Sequence, residues 1–226
     1  MKRRDFLLAA ACVCAPLARA ATPDGAGATE VEAMARDGLR RSVEAALARL
    51  GRENGFFADA RVKIGLSNNL RTADRILRSL GEGGKVDGLI LAMNRAAELA
   101  LPKTQKLLLD AVQALRISDA KTLVSDGDQA LTGYFRKATE VELGVALAPA
   151  IHGVAEQSGL TRAYDALSHT LVRLAGIKSR QATVEDYVNR KARDGLYAIM
   201  GAEERAMRAD PSRFAGSAGK LFSSLK

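Results

Sequence analysis

The sequence predicts an all-α fold, a single-domain irregular bundle of about eight helices without a sheet. Apolar residues recur at helical spacing along nearly the whole chain after residue 28, and no segment alternates apolar and polar residues for long enough to indicate a strand. Aromatic residues make up only 4% of the chain and Trp is absent. A core of Leu, Ala, Val and Ile favours closely packed helices, and 226 residues suffice for one domain with such a core.

The first 20 residues have the organisation of a cleaved signal peptide. A basic start is followed by an apolar run over residues 6–17 and by the A-x-A sequence that ends at Ala20. The run is too short to cross a bilayer. Arg3 and Arg4, followed by Asp5, Phe6 and Leu7, resemble the twin-arginine motif, with the general secretory route as the alternative. We therefore expect a periplasmic protein that is cleaved after Ala20.

Removal of this peptide changes what the composition permits. Cys12 and Cys14 both lie within it, so the mature chain has no cysteine. The absence of cysteine excludes disulfides, thiolate zinc sites, iron–sulfur clusters and thiol catalysis. Loss of four basic residues and Asp5 lowers the formal charge from +8 to +5. Such a mild excess does not indicate a nucleic-acid partner.

Helix start and stop signals divide the mature chain. Residues 21–28 are predicted to form a linker, and residues 29–226 the helical domain. Thr29 and Glu32 have the spacing of a capping box, and Gly51 follows the last residue of this helix. Further helices are expected at 70–80, 86–101, 102–115, 118–125, 128–149, 160–175, 183–208 and after Pro211.

Motifs that would indicate catalysis or metal binding are absent from the sequence. His152 and His169 have no recognised ligand spacing. Asp126 and Asp128 begin like a calcium loop, but the positions that follow lack ligands, so Asp128 is better explained as a helix cap. There is no G-x-S-x-G sequence. We accordingly predict no catalytic residue, no metal site and no cofactor.

Two charges interrupt the apolar faces of their helices. Glu142 falls on the apolar face predicted for helix 128–149, and Lys191 on that of helix 183–208. A buried charge needs a partner or must reach water along its stem. The sequence therefore predicts a buried pair between them or exposure of each charge to solvent, with a ligand-binding role for the two residues as the alternative. The inner face of helix 128–149 is expected to contain Leu131, Tyr134, Phe135, Ala138, Val141 and Val145.

Several ordered motifs resemble a known bacterial family. They are Met93–Glu98 (MNRAAE), Ala120-Lys121 with Gly127-Asp128, Tyr134-Phe135-Arg136, Gly159–Arg162 with Tyr164, and Tyr187-Val188 with Lys191-Ala192 and Gly195-Leu196. The family is domain of unknown function 4197, and the resemblance spans residues 40–208. It implies an exported helical protein, and it implies no activity, substrate or cofactor.

The sequence leaves three functions open. The first is a non-enzymatic binding or interaction module of the cell envelope, with Arg95, Glu98, Tyr134, Arg136 and Lys191 as ligand-binding candidates. The second is a carrier of an apolar small molecule, in which helix 86–101 lines a cavity through Leu91 and Leu99. The third is a periplasmic enzyme in which Glu98, Arg136 and Lys191 converge. The partner would be an unknown envelope protein or small molecule; nucleic acid and a transmembrane helix are not expected, and the oligomeric state is not predicted.

Overall fold

A computed structural model describes residues 23–66, 68–116, 127–175 and 181–211. These ranges contain helices and no strand, so the predicted all-α fold is confirmed for them. The helices are α1 (Pro23–Leu50), α2 (Asn68–Ser79), α3 (Gly83–Ala100), a 3₁₀ turn (Leu101–Thr104), α4 (Gln105–Ala114), α5 (Ala130–His152), α6 (Leu160–Ala175) and α7 (Gln181–Ala209). The helices expected at 118–125 and after Pro211 lie outside the described residues.

The core is built around α7. This helix packs along α5 and α1, while α3 packs against α6. The largest buried side chains are Leu, Ile and Met together with Phe56 and Phe135, which agrees with the low aromatic content. Within the described ranges, no helix is both long enough and apolar enough to cross a membrane.

Helix α1 is longer than predicted at its start and ends where predicted. It begins at Pro23, so residues 23–28 of the expected linker are helical and Thr29 is not its N-cap. Proline is well suited to a first helical turn, and its presence therefore did not exclude helix there. At the other end the Gly51 N–H donates to the Leu47 carbonyl at 2.8 Å. A Cβ at Gly51 would lie 2.5 Å from Pro102 Cγ, so this turn requires glycine.

Helix α5 differs from the prediction at both ends. It starts at Ala130, and its first free N–H groups are capped from α7 rather than by Asp128. The Glu204 carboxylate accepts bonds from the Leu131 N–H at 3.1 Å and the Thr132 N–H at 2.8 Å. Pro149 does not end the helix, which continues to His152. Capping by a residue far along the chain has no local sequence signal.

Half of the predicted inner face of α5 is wrong: Leu131 and Phe135 are buried and Tyr134 is partly buried, but the other three residues are exposed. Val141 and Val145 are 78% and 71% exposed, and Ala138 and Glu142 are exposed as well. Thr139 is buried in their place, and its hydroxyl is satisfied there. It donates to the Phe135 carbonyl at 2.7 Å and is hydrogen-bonded to the Tyr197 hydroxyl at 2.9 Å. The buried face is Leu131, Phe135, Thr139, Leu143, Leu147 and Ile151.

Candidate functional site

Residues 51–66, which we call the docked segment, are held on α3 by buried polar side chains. Asn94 is fully buried; its Oδ1 accepts the Ile64 N–H at 2.9 Å and its Nδ2 donates to the Ile64 carbonyl at 2.8 Å. The Glu98 carboxylate accepts the N–H groups of Phe56 at 2.9 Å and Phe57 at 3.1 Å. A segment without regular structure thus has its backbone groups satisfied from one helix.

Arg95 and Glu98, two of the predicted ligand-binding residues, lie together in this arrangement. Arg95 forms an ion pair with Glu98 and also donates to Asn54 Oδ1 at 2.9 Å and Glu53 Oε1 at 3.0 Å. Both side chains border a cleft of about 410 Å³ that Ser158 also lines. Their polar atoms are engaged by the docked segment, so within the described structure they hold this segment in place.

The other side of the docked segment rests on α7. Phe56 is fully buried against Gly195, where an added Cβ would lie 2.6 Å from Phe56 Cε1 and 3.4 Å from Val62 Cβ. The Tyr187 hydroxyl donates to the Gly65 carbonyl at 3.0 Å. Because α3 and α7 fix the segment from both sides, the groove that it forms with α7 has defined walls.

That groove, which we call the α7 cleft, has a volume of about 420 Å³. Its walls are residues 61–63 and 65–66 of the docked segment, and Tyr187, Lys191, Asp194, Gly195 and Ala198 of α7. The volume is in the range of small-molecule sites. Apolar surface from the segment lies beside three basic side chains, so the cleft combines two kinds of lining.

The three basic side chains of the α7 cleft differ in how they are neutralised. Arg61 binds Asp59 through Nη2 at 2.7 Å and Nε at 3.0 Å, and this bonding holds the pKa of the Asp59 carboxyl well below its usual range. Lys63 Nζ lies 4.1 Å from the centroid of the Phe57 ring. Lys191 Nζ is 3.8 Å from Asp194 Oδ2, at the limit of an ion pair. The two lysines are therefore less tightly paired than Arg61.

Asp194 connects two of the predicted residues. Arg136 Nη2 lies 2.9 Å from Asp194 Oδ1, so Arg136 and Lys191 approach the same carboxylate from α5 and α7. Arg136 also binds Glu140 at 2.9 Å, and this hydrogen bond lowers the pKa of the Glu140 carboxyl. Asp194 was missed in the sequence, although it lies one helical turn after Lys191 and that spacing could have indicated it.

The predicted buried pair between Glu142 and Lys191 is wrong. Both residues are exposed, and the carboxylate beside Lys191 is that of Asp194. The error follows from the misassigned face of α5, which put Glu142 inside. Tyr134, the remaining candidate, donates its hydroxyl to the Arg116 carbonyl at 2.8 Å and so joins α5 to the residues after α4.

The candidates thus fall into three places rather than one. Arg136 and Lys191 meet at Asp194, while Glu98 is engaged with the backbone of residues 54–57. The three-residue convergence that the enzyme alternative requires is not formed. For the carrier alternative, Leu99 lines the 410 Å³ cleft beside Arg95 and Glu98, whereas Leu91 is 39% exposed rather than turned towards a cavity. No group of three or more His, Cys, Asp or Glu side chains in the described ranges is arranged to hold a metal ion.

Comparison with known proteins identifies the family. No curated protein and no solved structure gives a match to the chain. A family model described as Protein of unknown function (DUF4197) matches residues 26–218, which is most of the chain. This range includes the docked segment, α3, α5 and α7, and therefore both walls of the α7 cleft. The chain belongs to the DUF4197 family of proteins of unknown function.

Proposed function

We propose that this protein is exported to the periplasm and serves there as a non-enzymatic binding module whose ligand occupies the α7 cleft. The proposed export depends on the first 20 residues, with their Arg3-Arg4 pair, apolar run and A-x-A sequence. Export of a folded chain suits a domain that contains no cysteine after residue 20 and relies on its apolar core.

The single observation that supports the binding site is the construction of the α7 cleft. Phe56 packs on Gly195, one of the lining residues, and Tyr187 ties the docked segment to α7 through its bond to Gly65. A cleft with walls held in this way needs little reordering when a ligand enters, which favours binding. Its Lys191 is the one predicted ligand-binding residue that lines it, and Arg136 joins it through Asp194.

Blocking the cleft tests the proposal. Ala198 is exposed and lines the cleft, so Ala198→Phe should fill part of it without disturbing the core. Ala206 is exposed on the same helix outside the cleft, and Ala206→Phe is the matched control. Both proteins and the wild type would be purified from the periplasm under mild conditions and compared by native mass spectrometry.

We expect a retained small molecule on the wild type and on Ala206→Phe, and its loss from Ala198→Phe. Retention by all three proteins would place the ligand elsewhere and contradict the proposal. Detection of chemical turnover of that molecule by the purified wild type would contradict the non-enzymatic part.

A further inference from the structure

The α7 cleft contains positive charge that the protein itself does not fully neutralise. Lys63 has no carboxylate of the described residues within ion-pair distance, and its ammonium group lies over the Phe57 ring. Among the described carboxylates Lys191 reaches only that of Asp194, at 3.8 Å, and Asp194 is bound more closely by Arg136 at 2.9 Å. Arg61 is bound closely by Asp59, although it shares this carboxylate with Arg49. Lys63 acts on the Asp87 carboxylate only beyond ion-pair distance, so two lysine side chains on the lining of one cleft lack a closely bound acid.

The two lysines approach the cleft from different elements. Lys63 belongs to the docked segment and Lys191 to α7, and Tyr187 holds these elements together beside them. A lysine ammonium has three N–H donors and no acceptor, so its best partner is an anionic oxygen. A carboxylate or a phosphate bound between the lysines would be held from both walls of the cleft.

The remaining lining is mixed: Tyr187 and Asp194, whose carboxylate is bound by Arg136, lie beside apolar surface from Leu66 and Ala198. Leu66 is only partly buried and Ala198 is exposed, while Gly65 adds no side chain to the cleft. The apolar part of this surface favours an apolar group, which gains about 25 cal/mol for each Å² removed from water. About 420 Å³ is more space than a small inorganic anion fills.

We infer that the ligand of the α7 cleft is an amphipathic anion, with a carboxylate or phosphate head between Lys63 and Lys191 and an apolar body along the apolar part of the lining at Leu66 and Ala198. This inference rests on the proposed binding function and adds the chemical class of the ligand. The same chemistry is found in a soluble amphiphile and in an anionic lipid of a membrane surface, and separate probes distinguish these sources.

Three probes test the two parts of the ligand: dodecyl phosphate below the concentration at which it forms micelles, dodecanol below its solubility limit, and inorganic phosphate. Affinity would be measured by calorimetry with the wild type and with the double variant Lys63→Met, Lys191→Met. Methionine keeps an apolar stem and removes the charge. Lys137 is exposed on α5 outside the cleft, so Lys137→Met is the control for the loss of a surface charge.

We expect dodecyl phosphate to bind at least tenfold more tightly than either dodecanol or inorganic phosphate. The double variant should lose about tenfold or more in this affinity, and Lys137→Met should leave it unchanged. Equal binding of dodecanol and dodecyl phosphate, or an unchanged affinity in the double variant, would overturn the inference. Binding of inorganic phosphate as tight as that of dodecyl phosphate would overturn the amphipathic part.

Vesicles distinguish a membrane surface from a soluble ligand. Sedimentation with phosphatidylglycerol vesicles, with phosphatidylcholine vesicles as the control, should leave the protein in solution if the cleft takes single molecules. Sedimentation with phosphatidylglycerol combined with no binding of monomeric dodecyl phosphate would overturn the inference in favour of a membrane surface.

The chemical nature of the retained ligand, together with the effect of Ala198→Phe, separates this inference from the proposed function. A neutral ligand that Ala198→Phe excludes would refute the anionic head and leave the binding module in place. Ligand retention that Ala198→Phe does not affect would refute the site itself.

Discussion

Glu98 allows the sharpest test of how the docked segment is held. Its carboxylate accepts the N–H groups of Asn54, Phe56 and Phe57 at 2.9 to 3.3 Å and pairs with Arg95. Glu98→Ala removes all of these bonds together. The Phe56 N–H would be left buried without a partner, which costs about 1–3 kcal/mol, and Arg95 would lose its buried acid.

The expected loss in the free energy of unfolding follows from these contacts. Removing one partner of a buried ion pair costs about 3–5 kcal/mol. The Arg95 side chain is 23% exposed and can be partly rehydrated, so we expect Glu98→Ala to cost about 3 kcal/mol, at the lower end of that range. Glu98→Gln keeps one acceptor oxygen for Phe56 and Phe57, and should cost less, about 1–3 kcal/mol.

The chain provides a matched control in Glu53. This carboxylate pairs with the same Arg95 at 3.0 Å, but its side chain is 79% exposed. Exposed ion pairs contribute about 0–1 kcal/mol, so Glu53→Ala should be close to the wild type. Urea unfolding followed by circular dichroism at 222 nm gives the free energies, and limited proteolysis reports whether residues 51–66 have loosened.

A loss for Glu98→Ala no larger than that for Glu53→Ala would refute the reasoning. An intact cleavage pattern in residues 51–66 would refute the role of Glu98 in docking the segment, even if the domain were destabilised.

Three further predictions test the packing, the pH dependence and the export. Gly195→Ala should destabilise the domain by about 1–3 kcal/mol, because the added Cβ meets Phe56. Gly88→Ala, on α3 with open space around it, should stabilise the domain by about 0.5–1 kcal/mol. Equal effects of the two changes in urea unfolding would contradict this prediction. Burial raises the pKa of Tyr197 above its usual value of about 10. The stability that the neutral phenol contributes is therefore complete below about pH 10 and is lost as the pH rises further. Tyr197→Phe should make the fall of Tm at alkaline pH less steep, and parallel curves of Tm against pH would refute this. Changing Arg3 and Arg4 to Lys should accumulate uncleaved precursor, and normal processing in that variant and in a strain without the folded-protein translocase would contradict the twin-arginine route.

The helical fold could be predicted from the sequence because most of its signals are local. The end of α1 at Leu50 and the start of α6 at Leu160 follow from the glycines beside them, and Gly159 has a positive φ of 74°. The start of α5 could not be predicted, since its cap is Glu204, more than 70 residues away.

The candidate site was only partly predictable for a related reason. Lys191 was identified from its position on α7, but the argument for it, burial against Glu142, was wrong. The burial of Thr139 and the exposure of Val141 reverse the order expected from side-chain polarity, because hydrogen bonds satisfy the Thr139 hydroxyl. The opposite wall of the cleft comes from residues 61–66, which lack regular structure and have no periodicity to interpret.

Hydrogen exchange measured by mass spectrometry tests most directly whether the α7 cleft binds the ligand. The protein purified with its ligand would be compared with the same protein after the ligand has been removed. The account predicts slower exchange with ligand in residues 61–66 and 187–198, which form the two walls. Unchanged exchange in both walls, with protection instead at residues 51–54 and 157–158 around the 410 Å³ cleft that Arg95 and Glu98 border, would contradict it.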